Sequence, residues 1–187
     1  DTINLCKTKI VYCYAHHIDN LYMLSNTLKI NNITNIYILN NNKYISGVSC
    51  YEMNKNKYNS FNINCNIIPF NDKIINTLNE SIILIEWCIK NNIDEIIITT
   101  PPYHIIRATM TIISYIISKN YKIKVYCLSG ICNNWNNYSI THLGLNNFNM
   151  NKLLELEYNR ILKYTNKGDI LGIDIILEYL NKRDLNI

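Results

Sequence analysis

Short apolar segments alternate with longer helical patterns along almost the whole chain. This alternation leaves few choices of fold, because strands separated by helices pair in parallel through right-handed crossovers. Apolar runs predict strands at residues 9–14, 35–39, 63–68, 94–99 and 123–128. Helical spacing predicts helices at 19–30, 49–57, 77–91, 101–119, 150–165 and 173–180, with a polar loop at 129–149. The predicted fold is α/β, a Rossmann-like three-layer sandwich of about five mostly parallel strands with helices on both faces and C-terminal helices, forming one domain over residues 1–187.

Composition narrows the class of protein further. The chain has 187 residues, of which 48% are hydrophobic and 17% charged, a balance typical of a globular domain. The net charge of +4 is spread out, with one tight basic pair at Lys182-Arg183, a distribution that argues against nucleic-acid binding. No apolar run is long enough to span a membrane, and the beginning of the chain has no signal pattern. The seven cysteines form no C-x-x-C pair, which favours reduced thiols in the cytoplasm over a zinc site or a disulfide framework.

The segment I-I-I-T-T-P-P-Y-H-I-I-R-A, at residues 96–108, predicts a binding site. A buried strand leads into a helix that Thr100 is expected to cap, with proline at its first position. A helix N-terminus attracts anions, and His104 and Arg107, three residues apart, share one face of that helix. Arg107 would bind a phosphate or carboxylate, while His104 would donate a hydrogen bond or move a proton. The alternative is that Arg107 pairs with a carboxylate of the protein and His104 bonds a backbone carbonyl.

The same stretch, from Thr100 to Ala108, resembles the T-S-x-Y-H-x-x-R-A motif of the YdcF/SanA/ElyC family, a domain of unknown function. Residues 76–81, N-T-L-N-E-S, are similar to the family's N-T-x-E-N-A segment, and residues 157–169 are similar to the closing helix of its shorter members. The resemblance covers roughly residues 68–128 and is weaker elsewhere. It implies a Rossmann-like fold whose site takes an anionic, nucleotide-like or S-adenosyl small molecule. It also implies that His104 is the catalytic residue and that ligand binding falls to Arg107, Asn76, Thr77, Thr100 and Tyr103.

Two of these residues have competing explanations. Thr77-Leu78-Asn79-Glu80 matches a capping box, which explains Thr77 and Glu80 without a ligand. Asn76 is the better candidate for orienting a ligand, because this capping box does not involve it. The chain also departs from the family, since it lacks the Gly-rich loop after the first strand and the Ser-Gly-Gly after the second.

Other polar groups have simpler interpretations. His16-His17-x-Asp19 invites a metal, but adjacent loop residues point apart and Asp19 is a plausible helix cap, so no metal site is predicted. Asp72 is expected in a turn and His142 in a solvated loop. The first hypothesis is therefore a small-ligand α/β protein that is an enzyme candidate. The second is a structural or interaction protein that keeps the fold with a degenerate site, and the third, weaker one is a nucleic-acid-associated component.

Overall fold

A computed structural model describes residues 9–14, 20–40, 50–70, 76–136, 138–141 and 144–185. One sheet contains five parallel strands in the order β3-β2-β1-β4-β5. Its strands are β1 (Lys9–Cys13), β2 (Asn35–Leu39), β3 (Asn64–Ile68), β4 (Glu95–Thr100) and β5 (Lys124–Ser129). The helices are α1 (Leu21–Ile30), α2 (Tyr51–Ser60), α3 (Thr77–Lys90), α4 (Ile105–Ser118), α5 (Met150–Asn166) and α6 (Ile173–Asp184). The predicted α/β fold with a parallel sheet and C-terminal helices is confirmed.

The side chains of each strand alternate between two apolar layers, which makes the fold a three-layer sandwich. In β2, Ile36 and Ile38 pack with Leu21 and Leu28 of α1, whereas Leu39 belongs to the larger cluster on the other face. That larger cluster contains residues of α3, α4 and α6. Because successive strand residues point to opposite faces, apolar residues at both odd and even positions of a strand hold helices on both sides of the sheet.

Asparagine ends four of the helices in a left-handed backbone conformation. Asn32, Asn62, Asn92 and Asn120 have φ values of 55–59°, just beyond α1, α2, α3 and α4. Asn tolerates this region better than most residues with a side chain, and it lets the next apolar residue close the helix and enter the following strand. After α3, for example, the amide of Ile93 donates to the carbonyl of Cys88 at 2.9 Å. Part of the asparagine content therefore has a structural role.

The sequence predicted a polar loop over residues 129–149, and this prediction is wrong in part. The segment contains an antiparallel hairpin formed by β6 (Tyr138–Thr141) and β7 (Gly144–Asn149). Strand propensity is weak in this Asn-rich stretch, and the hairpin's backbone pairing leads directly into α5. Asn149 caps α5 by accepting a hydrogen bond from the amide of Lys152 at 2.9 Å.

The strand order reverses between β1 and β4, which are neighbours in the sheet. Chain connections leave this point in opposite directions, so a crevice opens at the carboxyl ends of the two strands, where open α/β folds bind ligands. Tyr14 follows β1 and donates its amide hydrogen bond to the carbonyl of Thr99 in β4 at 3.1 Å. Within the described ranges, no helix combines the length and the apolar character that crossing a membrane requires.

Candidate functional site

The turn after β4 differs from its predicted form. The strand ends at Thr100, residues 101–104 form a turn, and α4 begins at Ile105 with His104 as its N-cap residue. Thr100 therefore does not cap the helix, and Pro101 and Pro102 lie in the turn instead of the first helical position. The His104 side chain makes no capping hydrogen bond. The first helical backbone bond runs from the amide of Ala108 to the carbonyl of His104, which leaves the preceding amides of α4 without helical acceptors.

His104 and Arg107 do come together, and they do so around a carboxylate from α5. Glu157 is only 3% exposed and accepts a hydrogen bond from Arg107 Nε to its Oε2 at 2.5 Å. Its Oε1 lies 3.3 Å from Arg107 Nη2, so the guanidinium approaches both carboxylate oxygens. Nδ1 of His104 lies 2.9 Å from Oε2. Arg160, one turn further along α5, donates from Nη1 to Oε1.

The carboxylate that pairs with His104 and Arg107 thus belongs to the protein itself, as the side chain of Glu157. This is the alternative that the sequence left open for Arg107, whereas His104 bonds a carboxylate and not a backbone carbonyl. The negative charge of Glu157 is favoured by the dipole of α4, by the guanidinium groups of Arg107 and Arg160, and by the hydrogen bond from the His104 imidazole. The arrangement joins β4, α4 and α5 at the carboxyl edge of the sheet, beside the reversal in strand order.

Burial and the neighbouring charges shift the pKa values of both Glu157 and His104. Burial alone would raise the pKa of Glu157, but hydrogen bonds and positive charge from His104 and Arg107 hold that pKa well below its usual range. Burial lowers the pKa of His104, and the charge of Arg107 lowers it further, against the opposing effect of Glu157. Near neutral pH, Glu157 is therefore ionised and His104 is a neutral imidazole.

The position of the His104 proton follows from its neighbours. A carboxylate only accepts hydrogen bonds, so Nδ1 carries the proton and donates it to Glu157. Arg107 Nη2 lies 3.2 Å from Nδ1, so two N–H donors face each other. Their repulsion further disfavours a positive charge on the ring. Nε2 is left as the basic atom, and the described part of the chain offers it no hydrogen-bond partner. A carboxylate that orients a neutral imidazole in this way is the arrangement found in general acid–base sites.

Asn76 and Thr77 have exchanged the roles predicted for them. Asn76 is the N-cap of α3, and its Oδ1 accepts from the amide of Asn79 at 2.9 Å. Thr77 is the first helical residue, and its Oγ1 accepts from Arg107 Nη1 at 2.9 Å. The predicted capping box is wrong by one residue, because Asn caps a helix as well as Thr does. Glu80, its expected second member, is buried and accepts a hydrogen bond from Tyr12 at 2.7 Å.

Tyr14 connects β1 to the same cluster. Ser81 Oγ donates to the carbonyl of Thr77 at 2.8 Å, so Tyr14 donates its hydroxyl proton to Ser81 across 2.6 Å. The Tyr14 and His104 rings are perpendicular in an edge-to-face contact, with centroids 6.1 Å apart. This ring contact and the hydrogen bond from His104 to Glu157 together limit the tilt of the imidazole. No pattern in the sequence distinguishes this tyrosine from the fourteen others.

The remaining predicted site residues, Thr100 and Tyr103, lie at the end of β4 and in the turn that follows it. Thr100 is fully buried on the face of the sheet that carries Ile96 and Ile98, and its Oγ1 has no hydrogen-bond partner among the described residues. Tyr103 packs with Met150 and Leu153 at the start of α5. Tyr103 therefore helps to seat the helix that delivers Glu157.

Sequence reasoning assigned no role to Glu157 or Arg160. A signal was present, since the buried positions of α5 are Met150, Leu153 and Glu157, a spacing that puts a carboxylate on the apolar stripe of the helix. A buried acid in such a stripe requires a partner, and Arg107 on the buried face of α4 is that partner.

No protein-family model matches the chain, and no curated protein matches it. The resemblance to the YdcF/SanA/ElyC family therefore stays a prediction. In the described part of the chain, no group of three or more His, Cys, Asp or Glu side chains is arranged to hold a metal ion. His16, His17, Asp19, Asp72 and His142 lie outside the described residues.

Proposed function

We propose that the protein binds a small anionic molecule at the carboxyl edge of its sheet and that His104 exchanges a proton with it. The observation that carries this proposal is the hydrogen bond from His104 Nδ1 to the buried, ionised Glu157 at 2.9 Å, placed where the strand order reverses. Open α/β folds bind their ligands at this position. A titratable ring with a dedicated carboxylate partner is what proton transfer requires.

The net charge of the cluster supports an anionic ligand. Two guanidinium groups face one carboxylate while His104 is neutral, so the group carries one surplus positive charge. The N-terminus of α4, where the N-cap side chain makes no capping hydrogen bond, adds partial positive charge in the same place. Arg107 keeps one N–H on Nη1 beyond the one that Thr77 accepts. Thr100 Oγ1, buried and without a partner among the described residues, offers a further hydrogen bond.

The chemistry proposed for His104 follows from its tautomer. Nε2 accepts a proton from the ligand, and the resulting imidazolium is stabilised by Glu157 through the Nδ1 hydrogen bond. Arg107 works against this charge, so the ring is a weak base until an anion nearby offsets the guanidinium. Proton transfer is thereby coupled to occupation of the site by a negatively charged group.

A nucleotide-like or S-adenosyl ligand is the finer form of the proposal. In dinucleotide-binding folds, a polar side chain at the end of the second strand accepts a hydrogen bond from a ribose hydroxyl. Asn40 follows β2, and its Oδ1 is buried with no partner among the described residues. This amide oxygen fits a ribose hydroxyl, although the usual residue there is acidic. The free thiols of the six described cysteines fit the cytoplasmic setting that the proposal assumes.

The second candidate is a structural or interaction protein in which the cluster only ties helices together. The contacts of Arg107 favour it, since Nε, Nη1 and Nη2 all face groups of the protein on α3 and α5. In that case the cluster stabilises the fold and takes up no ligand.

Thermal shift with inorganic phosphate, adenosine monophosphate and S-adenosylmethionine, at constant ionic strength, tests the two candidates. A ligand present at a hundred times its Kd stabilises the folded state by about 2.7 kcal/mol, or roughly 5–10 °C for a chain of this length. We expect at least one of these compounds to raise Tm by that order, and His104→Gln to keep binding while losing the coupled proton uptake measured by calorimetry in different buffers. If none of them shifts Tm, the ligand proposal fails and the structural candidate stands.

A further inference from the structure

We propose that Arg160 receives the anionic group of the ligand, and that this group is an oxyanion presenting two oxygens to one guanidinium. Arg107 instead bonds groups of the protein and fixes the position of Glu157. The inference rests on the proposed function and assigns the recognition step to a residue that the sequence motif does not contain.

Arg107 is largely committed to the protein. Its Nε and Nη2 face the two oxygens of Glu157, and its Nη1 donates to Thr77. The residue is 5% exposed, and its guanidinium carbon lies 6.0 Å from the centre of the Tyr164 ring. A guanidinium held on several sides cannot turn toward a ligand without breaking these hydrogen bonds.

Arg160 is held far less. Only its Nη1 bonds Glu157, and the described residues offer no acceptor to its Nε or Nη2. The Arg160 side chain is 21% exposed, compared with 6% for that of Arg107. Three N–H groups of a planar fork are therefore available, and the fork geometry matches two oxygens of a carboxylate or phosphoryl group.

The charge balance points to the same residue. Arg107 approaches both oxygens of Glu157 and forms a neutral pair with it, so the surplus positive charge resides on Arg160. Arg107 and His104 continue to satisfy Glu157 if Arg160 turns partly toward a ligand. Guanidinium charge that is partly shielded from water and not fully paired attracts an anion more strongly than an exposed one does.

Arg160 also places the anion beside the proton-active ring. Arg160 and His104 bond different oxygens of the same carboxylate, Oε1 and Oε2. An oxyanion on Arg160 consequently lies close enough to oppose the effect of the guanidinium charges on the imidazole. Binding at Arg160 would raise the proton affinity of His104.

Calorimetric titration with inorganic phosphate and with acetate, at constant ionic strength and near neutral pH, tests the proposal on the full chain. We expect Arg160→Gln to raise the Kd of whichever oxyanion binds wild type by about tenfold or more, since charge-assisted hydrogen bonds are lost. Arg160→Lys should weaken binding less, because it keeps the charge and loses the fork. Lys152→Gln removes an exposed charge from the same helix and should leave Kd within about twofold of wild type.

A second readout follows the imidazole of His104 by NMR. The bound oxyanion should raise the pKa of His104 in wild type and in Arg160→Lys, but not in Arg160→Gln. Wild-type binding that persists unchanged in a folded Arg160→Gln variant would overturn the assignment to Arg160 and leave the proposed function intact. Wild type that binds neither oxyanion nor adenosine monophosphate overturns the proposed function, and the assignment with it.

Discussion

Neutralising Glu157 tests the buried cluster directly, because three side chains depend on that one carboxylate. In Glu157→Gln the shape is preserved and the charge is lost. Arg107 and Arg160 then face each other's positive charge with no carboxylate between them, and the amide nitrogen of Gln is a donor that meets other donors. His104 loses the acceptor of its Nδ1 proton if the amide nitrogen takes the Oε2 position.

The expected loss of stability is large. Removing one partner of a buried ion pair costs about 3–5 kcal/mol, because the remaining charge stays buried and unpaired. Arg160 is partly exposed and can turn to water, and the amide oxygen of Gln still accepts one hydrogen bond from Arg107. The loss should therefore lie in the lower part of that range, about 3 kcal/mol, or roughly 6–12 °C in Tm.

Urea unfolding followed by far-UV circular dichroism measures this loss. The matched control is Glu155→Gln on the same helix, whose carboxylate is exposed and pairs with the exposed Lys152, so that it should cost less than about 0.5 kcal/mol. Arg107→Met combined with Glu157→Gln should destabilise the protein by less than the sum of the two single variants, because the partners are then removed together. A Glu157→Gln variant within about 1 kcal/mol of wild type would refute the view that this carboxylate is ionised and buried among three partners.

Three further predictions address the ring, the helix ends and the ribose contact. Because folding lowers the pKa of His104 from its ordinary value of 6.5, the unfolded chain binds a proton there more readily than the folded chain does. The free energy of unfolding should therefore decrease as the pH falls below about 6.5, and His104→Gln should make this decrease with pH smaller. Asn92→Ala should cost about 1 kcal/mol in urea unfolding and Asn92→Gly nothing, since only the first strains the left-handed backbone; equal losses would contradict this. Asn40→Ala should raise the Kd of adenosine monophosphate by about tenfold without changing that of phosphate, and an equal change for both ligands would exclude a ribose contact.

The helices and strands of the main sheet could be predicted because their signals are local. Burial alternates along most of β1, β2 and β4, and α1, α3 and α4 carry buried apolar residues at helical spacing, so these elements follow from neighbouring residues. Local signals were weaker where two residues compete for one role. Asn and Thr are both residue types that cap helices, so the sequence does not decide between Asn76 and Thr77; in the structure Asn76 caps α3, and Thr77 accepts from Arg107 instead. The hairpin of β6 and β7 was missed because its stability comes from pairing and not from apolar alternation.

The sequence by itself determined the class of fold and two of the cluster residues, His104 and Arg107, because a strand, a turn and a helix N-terminus bring them together within a few positions. Only the tertiary structure decided what faces them. Glu157 lies fifty residues further along the chain from Arg107, and it reaches the α4 N-terminus because α5 packs there through Met150 and Leu153. A charge pair of this kind depends on distance and burial in space, and neither quantity is written in the spacing of residues along the chain.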